Sequence, residues 1–67
     1  MPSSVIQDFA YDPDARELSI WFTSGRIYVY FAVPEEVFSD LSGAFSKGSY
    51  FNRRIRDNYQ CREVTPS

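Results

Sequence analysis

The feature that most constrains the fold is a pair of apolar segments separated by a very short polar interval. The first segment reads LSIWF, the second reads RIYVYF, and Thr23, Ser24 and Gly25 lie between them. Both segments are rich in β-branched and aromatic side chains, which favour strands, and a gap of two or three residues with glycine is typical of a β-hairpin. The sequence therefore predicts antiparallel strands over residues 17–22 and 26–32, joined by a tight turn.

Two helices are predicted after this hairpin. Pro34 can begin a helix without losing a hydrogen bond, the acidic pair that follows it complements the positive helix N-terminus, and apolar residues recur at helical spacing to about Leu41. Ser49 is suited to cap a second helix from Tyr50 to about Asn58. The helix residues expected in the core are Phe38, Leu41, Phe51 and Ile55.

The remaining segments complete the fold class. Residues 5–11 mix apolar and polar side chains and end at Asp12-Pro13-Asp14, which favours a strand followed by a turn. The segment YQCREV is a candidate for a short fourth strand, which we leave open. The prediction is one α+β domain over residues 1–67, a three-stranded antiparallel meander with two short helices packed on one face.

Composition narrows the classes of function. The chain has 67 residues, of which 43% are hydrophobic and 18% aromatic, so it is expected to fold rather than remain disordered. It has no histidine, one cysteine (Cys61) without an evident base, and only a weak acidic cluster at Asp12, Asp14 and Glu17. We therefore expect no enzyme, no metal site and no cofactor. The absence of a basic, apolar leader predicts a cytoplasmic protein without a membrane partner.

Charge is unevenly distributed along the chain. Residues 1–42 carry a net charge of −5 and residues 43–67 carry +3, consistent with −2 overall. In the basic half, a serine-lysine-glycine turn before a helix can direct N–H groups and a lysine at one anion. This interpretation gives a candidate anion site that comprises Lys47, Gly48, Ser49, Arg53, Arg54 and Arg56. The alternative is structural, with Gly48 permitting a turn, Ser49 capping and the arginines solvated.

The length of the hairpin loop decides where Tyr28 and Tyr30 point. A two-residue loop, Ser24-Gly25, places both tyrosines on one face with Trp21 and Arg26, as an aromatic surface for a ligand. A three-residue loop with a left-handed glycine shifts the register by one, and the tyrosines then join Leu18, Ile20 and Phe22 in the core. The core interpretation is slightly favoured, because alternate aromatic residues on a strand are more often packing residues.

The combined pattern resembles the KTSC domain. It is carried by YDPDARELSIWFTSGRIYVYFAVPEEVF, with its central Tyr28-Val29-Tyr30, followed by FSKGSYFNRRIRDNY. The matched positions cover almost the whole chain: Tyr11, Leu18, Phe22, Gly25, Tyr28, Tyr30, Val33-Pro34, Ser46-Lys47-Gly48, Tyr50-Phe51-Asn52, Ile55-Arg56 and Tyr59. The chain departs from the pattern at Phe45 and at Gln60-Cys61. The second departure bears on the final strand more than on the fold.

The resemblance implies a class of function rather than an activity. KTSC domains occur alone in small bacterial proteins and at the C-terminus of some lysyl-tRNA synthetases, and this fusion implies RNA as a partner. We expect bases to stack on Trp21 and on one or both of Tyr28 and Tyr30, while Lys47 and the arginines contact phosphates. The alternative is a protein-interaction or self-association module, because two helices leave one sheet face uncovered. High salt strongly weakens RNA binding through phosphate contacts, whereas it does not weaken apolar protein–protein contacts in this way.

Overall fold

The fold is a single antiparallel sheet with two helices inserted before its last strand. The computed structural model describes residues 6–64. Within them lie four strands, β1 (Ile6–Asp12), β2 (Glu17–Phe22), β3 (Ile27–Tyr30) and β4 (Cys61–Val64), and two helices, α1 (Glu35–Gly43) and α2 (Lys47–Arg54). The strand order is β1-β2-β3-β4, and every pair is antiparallel. The predicted α+β class is confirmed, and the fourth strand that was left open is present.

The first strand and its turn agree closely with the sequence pattern. Val5, which was predicted to begin the first strand, lies outside the described residues. The Asp12 carboxylate accepts hydrogen bonds from the backbone N–H groups of Asp14 at 3.0 Å and Ala15 at 3.4 Å. The short acidic side chain of Asp12 thus closes the turn that joins β1 to β2, as the sequence Asp12-Pro13-Asp14 predicts.

The hairpin between β2 and β3 has the three-residue loop. The Phe22 N–H donates to the Arg26 carbonyl, and the Gly25 N–H donates to the Phe22 carbonyl, both at 2.9 Å. Gly25 has φ +95°, a conformation that L side chains rarely adopt. Tyr28 consequently lies opposite Ile20 and Tyr30 opposite Leu18. Since cross-strand partners share a face, both tyrosines are on the core side, and the two-residue loop is not adopted.

The second helix begins earlier than predicted. The prediction that Ser49 is the cap is wrong, because Ser46 occupies that position and its hydroxyl accepts a hydrogen bond from the Ser49 N–H at 3.3 Å. Helix α2 also ends at Arg54 rather than near Asn58, and residues 55–58 form turns. Helix α1 agrees better with its predicted span of Pro34 to about Leu41, since it covers Glu35–Gly43 and Pro34 is its N-cap residue.

The core lies between the helices and one face of the sheet, which we call the core face. The buried apolar residues are Leu18, Ile20, Tyr30, Val33, Leu41, Phe51 and Ile55. Phe38 is half-buried and its ring stacks on Tyr11 at a centroid distance of 5.1 Å, while the Tyr11 hydroxyl donates to the Val33 carbonyl at 2.6 Å. Both helices therefore cover the same face, as predicted.

The other face of the sheet, which we call the outer face, is covered by no helix of residues 6–64. Strand alternation and pairing place two rows of side chains there, Asp8–Trp21–Ile27–Val64 and Ala10–Ser19–Val29–Arg62. Trp21, Ile27, Val29 and Val64 are partly exposed, and none of them belongs to the core cluster or packs against it. Neither helix of residues 6–64 is long and apolar enough to cross a membrane.

Ile55 should be among the side chains whose truncation costs most stability. It is fully buried at the C-terminal end of α2. We expect Ile55→Ala to lower the free energy of unfolding by about 2–5 kcal/mol, because the cavity and the lost apolar burial add. Chemical denaturation measures this, with Ser42→Ala on exposed α1 surface as a control within about 0.5 kcal/mol of the parent. A loss below about 1 kcal/mol would contradict the assignment of Ile55 to the core.

Candidate functional site: an aromatic cleft

A cleft of about 480 Å³ opens between the β2–β3 hairpin, β4 and the C-terminal half of α2. Four aromatic rings line it, namely Phe22, Tyr28, Tyr30 and Phe51. The remaining lining residues are Thr23, Ser24, Arg26, Asn52, Arg56, Asp57 and Cys61. We call this site the aromatic cleft, and its volume is within the usual range for a small-molecule or single-nucleotide pocket.

The four rings hold one another in place through mostly edge-to-face contacts. Phe51 meets Phe22 and Tyr30 with centroid distances of 5.4 Å in each case, at interplanar angles of 71° and 79°. Phe22 also meets Tyr28 at 5.6 Å and 81°. Each such pair contributes about 0.5–1.5 kcal/mol to stability beyond the burial of apolar surface. The four rings, which form the floor of the cleft, are therefore held in place before any ligand binds.

Accessibility separates the two tyrosines. Tyr30 is only 4% exposed and belongs to the core, whereas Tyr28 is partly exposed where it lines the cleft. Their centroids are 6.5 Å apart, and the rings are tilted by 33°. Tyr28, together with the partly exposed Phe22, is therefore the aromatic surface that a ligand can reach.

The rim of the aromatic cleft carries two guanidinium groups and one carboxylate. Arg26 forms an ion pair with Glu63 at 3.5 Å, and both side chains are well exposed, so the pair contributes little to stability. Arg56 and Asp57 are exposed on the α2 side, next to Asn52. The cleft thus offers an apolar floor with donors and acceptors at its edge.

Tyr30 remains protonated at neutral pH. Burial raises the pKa of Tyr30 well above its ordinary value of 10.0, and the neighbouring Cys61 raises it further. The Tyr30 hydroxyl is therefore a neutral polar group beneath the cleft rather than a phenolate. Within residues 6–64, no group of three or more His, Cys, Asp or Glu side chains is placed so that it could hold a metal ion.

The structure divides the predicted site residues between different places. Tyr28, Tyr30 and Arg56 line the aromatic cleft. Trp21 faces the opposite side of the sheet, because its strand partner is Ile27. Thus the three predicted stacking rings do not share one surface. A one-residue change of register is enough to separate Trp21 from the tyrosines.

The predicted anion site does not converge on one point either. Lys47 and Gly48 lie in the first turn of α2, Gly48 is buried, and the Ser49 N–H is already bonded to Ser46. Arg53 and Arg54 lie in the last turn of the same helix. Lys47 and Arg54 are seven positions apart, which is about 10 Å along a helix axis.

A second concavity of about 440 Å³ lies between the two helices. Its charged or phenolic lining residues are Glu36, Asp40, Arg54, Tyr50 and Tyr59. Partial desolvation and then the Asp40 carboxylate raise the pKa of Tyr50. Carboxylates and guanidinium are mixed here, and Arg54 is thereby placed away from the aromatic cleft.

Sequence reasoning missed several residues of the aromatic cleft. Phe22 and Phe51 are predicted as core residues alone, and Asn52 is not grouped with the tyrosines. Arg26 is grouped with them only in the two-residue loop, which the structure does not adopt. The signal for Asn52 was its position four residues before Arg56 in the helix predicted to reach about Asn58, because side chains at that spacing are neighbours on a helix. The signal for Phe22 was the three-residue loop, the register that places it beside Tyr28.

Comparison with known proteins gives consistent matches over this fold. The KTSC domain family model matches residues 2–59. The crystal structure of a KTSC domain protein from Yersinia pestis is similar with a TM-score of 0.88 and 38% sequence identity, over 97% of this chain and 92% of that one. A protein from Tsukamurella paurometabola is 40% identical over 58 residues, which are 87% of each chain.

Part of a much larger enzyme is also similar. A lysine–tRNA ligase from Nostoc punctiforme is 40% identical over 62 residues, which are 92% of this chain and 11% of the ligase. The chain therefore spans only about a tenth of the length of that relative. The similarity concerns one segment of the ligase.

The raised pKa of Tyr30 should make stability sensitive to alkaline pH. Tyrosine in the unfolded chain loses its proton near the ordinary value of 10.0, whereas folded Tyr30 keeps it to higher pH. Its contribution to stability is thus complete below pH 10 and is lost as pH rises toward the folded pKa. We expect the free energy of unfolding to fall more steeply above about pH 10 in the parent than in Tyr30→Phe. Urea denaturation at several pH values tests this, and identical slopes would contradict it.

Proposed function

The chain belongs to the KTSC domain family, and on that premise we propose that it is a non-catalytic module that binds single-stranded RNA, with one base in the aromatic cleft. The observation that carries this proposal is the combination of an accessible ring, Tyr28, with two guanidinium groups at the rim, Arg26 and Arg56. Single-stranded nucleic acids are bound in this way, by stacking on aromatic rings and by basic contacts to phosphates.

The floor of the cleft supports stacking. Phe22 and Tyr28 are held at 5.6 Å by an edge-to-face contact, and buried Phe51 supports Phe22 from below. A ring that is already immobilised loses little conformational freedom when a base stacks on it. Each such stack is worth about 1–3 kcal/mol.

The rim supports a base rather than an isolated phosphate. Asn52 supplies both a donor and an acceptor, and Asp57 accepts hydrogen bonds from amino groups on a base edge. Arg26 and Arg56 provide planar donors for the phosphates on either side of that base. A free phosphate would gain the two guanidinium groups but would be repelled by the Asp57 carboxylate.

Basic residues outside the cleft provide a second, less specific contribution. Lys47, Arg53 and Arg54 are spread along α2, in the half of the chain with net charge +3. They fit contacts to the backbone of a strand that extends beyond the cleft. The lysine–tRNA ligase relatives, whose name includes an RNA substrate, contain a segment similar to most of this chain, which also supports an RNA ligand.

Replacement of Tyr28 should weaken RNA binding without unfolding the protein. We expect Tyr28→Leu to reduce the affinity for a short unstructured RNA by about fivefold to a hundredfold, because one stack is lost. Tyr59→Leu is the matched control, since Tyr59 is also partly exposed but lines the other concavity. Fluorescence anisotropy measures the affinity, and a thermal melt shows that each variant is folded. Equal affinities of parent and Tyr28→Leu would contradict the cleft as the base site.

Replacement of basic residues should show whether the aromatic cleft or the start of α2 is the main RNA-binding site. Arg56→Gln should weaken binding and lower the slope of log affinity against log salt by about one, because one phosphate contact is lost. The double variant Lys47→Gln, Arg54→Gln should bind more tightly than Tyr28→Leu, and its melting temperature should be near the parent's. If the double variant instead loses more affinity than Tyr28→Leu, the helix start is the main site. If the parent binds no RNA at low salt, the proposed function is wrong.

A further inference from the structure

We propose that the outer face of the sheet is the interface of a symmetric dimer, in which β1 of one copy lies over β4 of the other. The occupant of this face is a second copy of the same chain. The inference is independent of RNA binding, because the outer face and the aromatic cleft are on opposite sides of the sheet.

The centre of the outer face is apolar. Trp21 and Ile27 are direct strand partners, with Val64 beside Ile27, and Val29 lies in the neighbouring row. All four side chains are partly exposed and make no part of the core. Apolar faces of antiparallel sheets pack on one another in sandwiches, with their strands nearly aligned. A second outer face thus provides a surface of matching shape.

The two edges of the outer face carry opposite charges. Asp8 and Asp12 are on β1, and Glu17 is next to Asp12 on β2. Arg62 is on β4 at the other edge, where it pairs with Val29. Among residues 6–64 the ion pair is Arg26–Glu63, and no carboxylate of these residues lies within 4.0 Å of the Arg62 guanidinium.

This charge distribution selects one of two symmetric arrangements. A two-fold axis perpendicular to the strands would place β1 over β1, and carboxylates would then face carboxylates. An axis parallel to the strands places β1 of one copy over β4 of the other, and each row of outer-face side chains then lies over the same row of the second copy. Arg62 of one copy then lies over Ala10 of the other, between Asp8 and Asp12, and this contact occurs twice. With the axis parallel to the strands, opposite charges meet at both edges, which favours this dimer. With the axis perpendicular to the strands, carboxylates meet carboxylates, which disfavours that dimer.

Charge also favours a second copy over a nucleic acid on this face. Three carboxylates against one guanidinium repel phosphates, although Trp21 is a potential stacking ring. Four strands spaced about 4.8 Å apart, each about five residues long, give a projected area on the order of 300 Å² per copy. This area is well below the roughly 800 Å² per partner of a standard interface, so the dimer should be weak and transient, with a substantial population only at about 0.1–1 mM chain.

Charge reversal on either edge tests the arrangement. The first variant combines Asp8→Lys with Asp12→Asn, in which asparagine preserves the turn that the Asp12 side chain closes. The second variant is Arg62→Glu. Sedimentation velocity over a concentration series should show that the parent approaches twice its 7.8 kDa mass. Each variant alone should dimerise at least about tenfold more weakly, because like charges then face each other.

Mixing the two variants is the decisive measurement. In the mixed dimer, the lysine introduced at position 8 faces the glutamate introduced at position 62, and the native Arg62 faces native Asp8 and Asp12. Association should return to within about threefold of the parent's. Controls with the same type of charge change off this face are Glu35→Lys and Arg53→Glu, which should dimerise as the parent does. Thermal melts establish that all variants are folded.

Each contrary result overturns the proposal. A parent that stays monomeric at about 1 mM excludes the dimer. Dimers that are unaffected by both reversals lie on another face, and a failure of the mixture to restore association excludes the β1-over-β4 arrangement. Loss of RNA binding in Arg62→Glu, with no dimer in the parent, would assign the face to nucleic acid. Tyr28→Leu should leave dimerisation unchanged, so failure of the dimer and failure of the RNA proposal are distinguishable.

Discussion

The left-handed conformation of Gly25 determines which way the side chains of the central hairpin point. With φ +95° at this residue, the loop holds three residues, and the Phe22 N–H pairs with the Arg26 carbonyl. Because side chains alternate along a strand, a loop shorter by one residue would turn every side chain of β3 to the opposite face. Gly25 has no side chain to pack, yet its backbone conformation places Tyr28 and Tyr30 on the core face of the sheet.

This register gives the two faces of the sheet different roles. On the core face, Tyr30 and Phe51 are buried and support partly exposed Phe22 and Tyr28, so that an accessible aromatic surface is a continuation of the core. On the outer face, Trp21 lies in an apolar patch between an acidic and a basic edge. The smallest dimension of the domain, 18 Å, corresponds to one sheet with one layer of helices.

The local errors of the sequence prediction have identifiable physical causes. Ser46 and Ser49 are both good cap residues, and the helix begins at the earlier one because the Ser46 hydroxyl can accept from the Ser49 N–H. The same cap uses the Ser49 N–H, one of the donors of the predicted anion site, which stays a prediction. The end of α2 was placed four residues late, because Ile55 must reach the core and the chain must then turn towards β4.

Local signals along the chain are sufficient to predict the secondary-structure elements and the α+β class. The apolar runs, the Asp12 turn, Pro34 and the glycine loop are local signals, and local chemistry is enough to predict strands, turns and helix starts. The aromatic cleft could not be predicted from local signals, because Tyr28, Asn52 and Cys61 are brought together from β3, α2 and β4. The loop length, on which the two faces depend, was left between two alternatives because a glycine permits both turns. Cross-strand pairing and the burial of Tyr30 against Phe51 of α2 distinguish them, and both are long-range contacts.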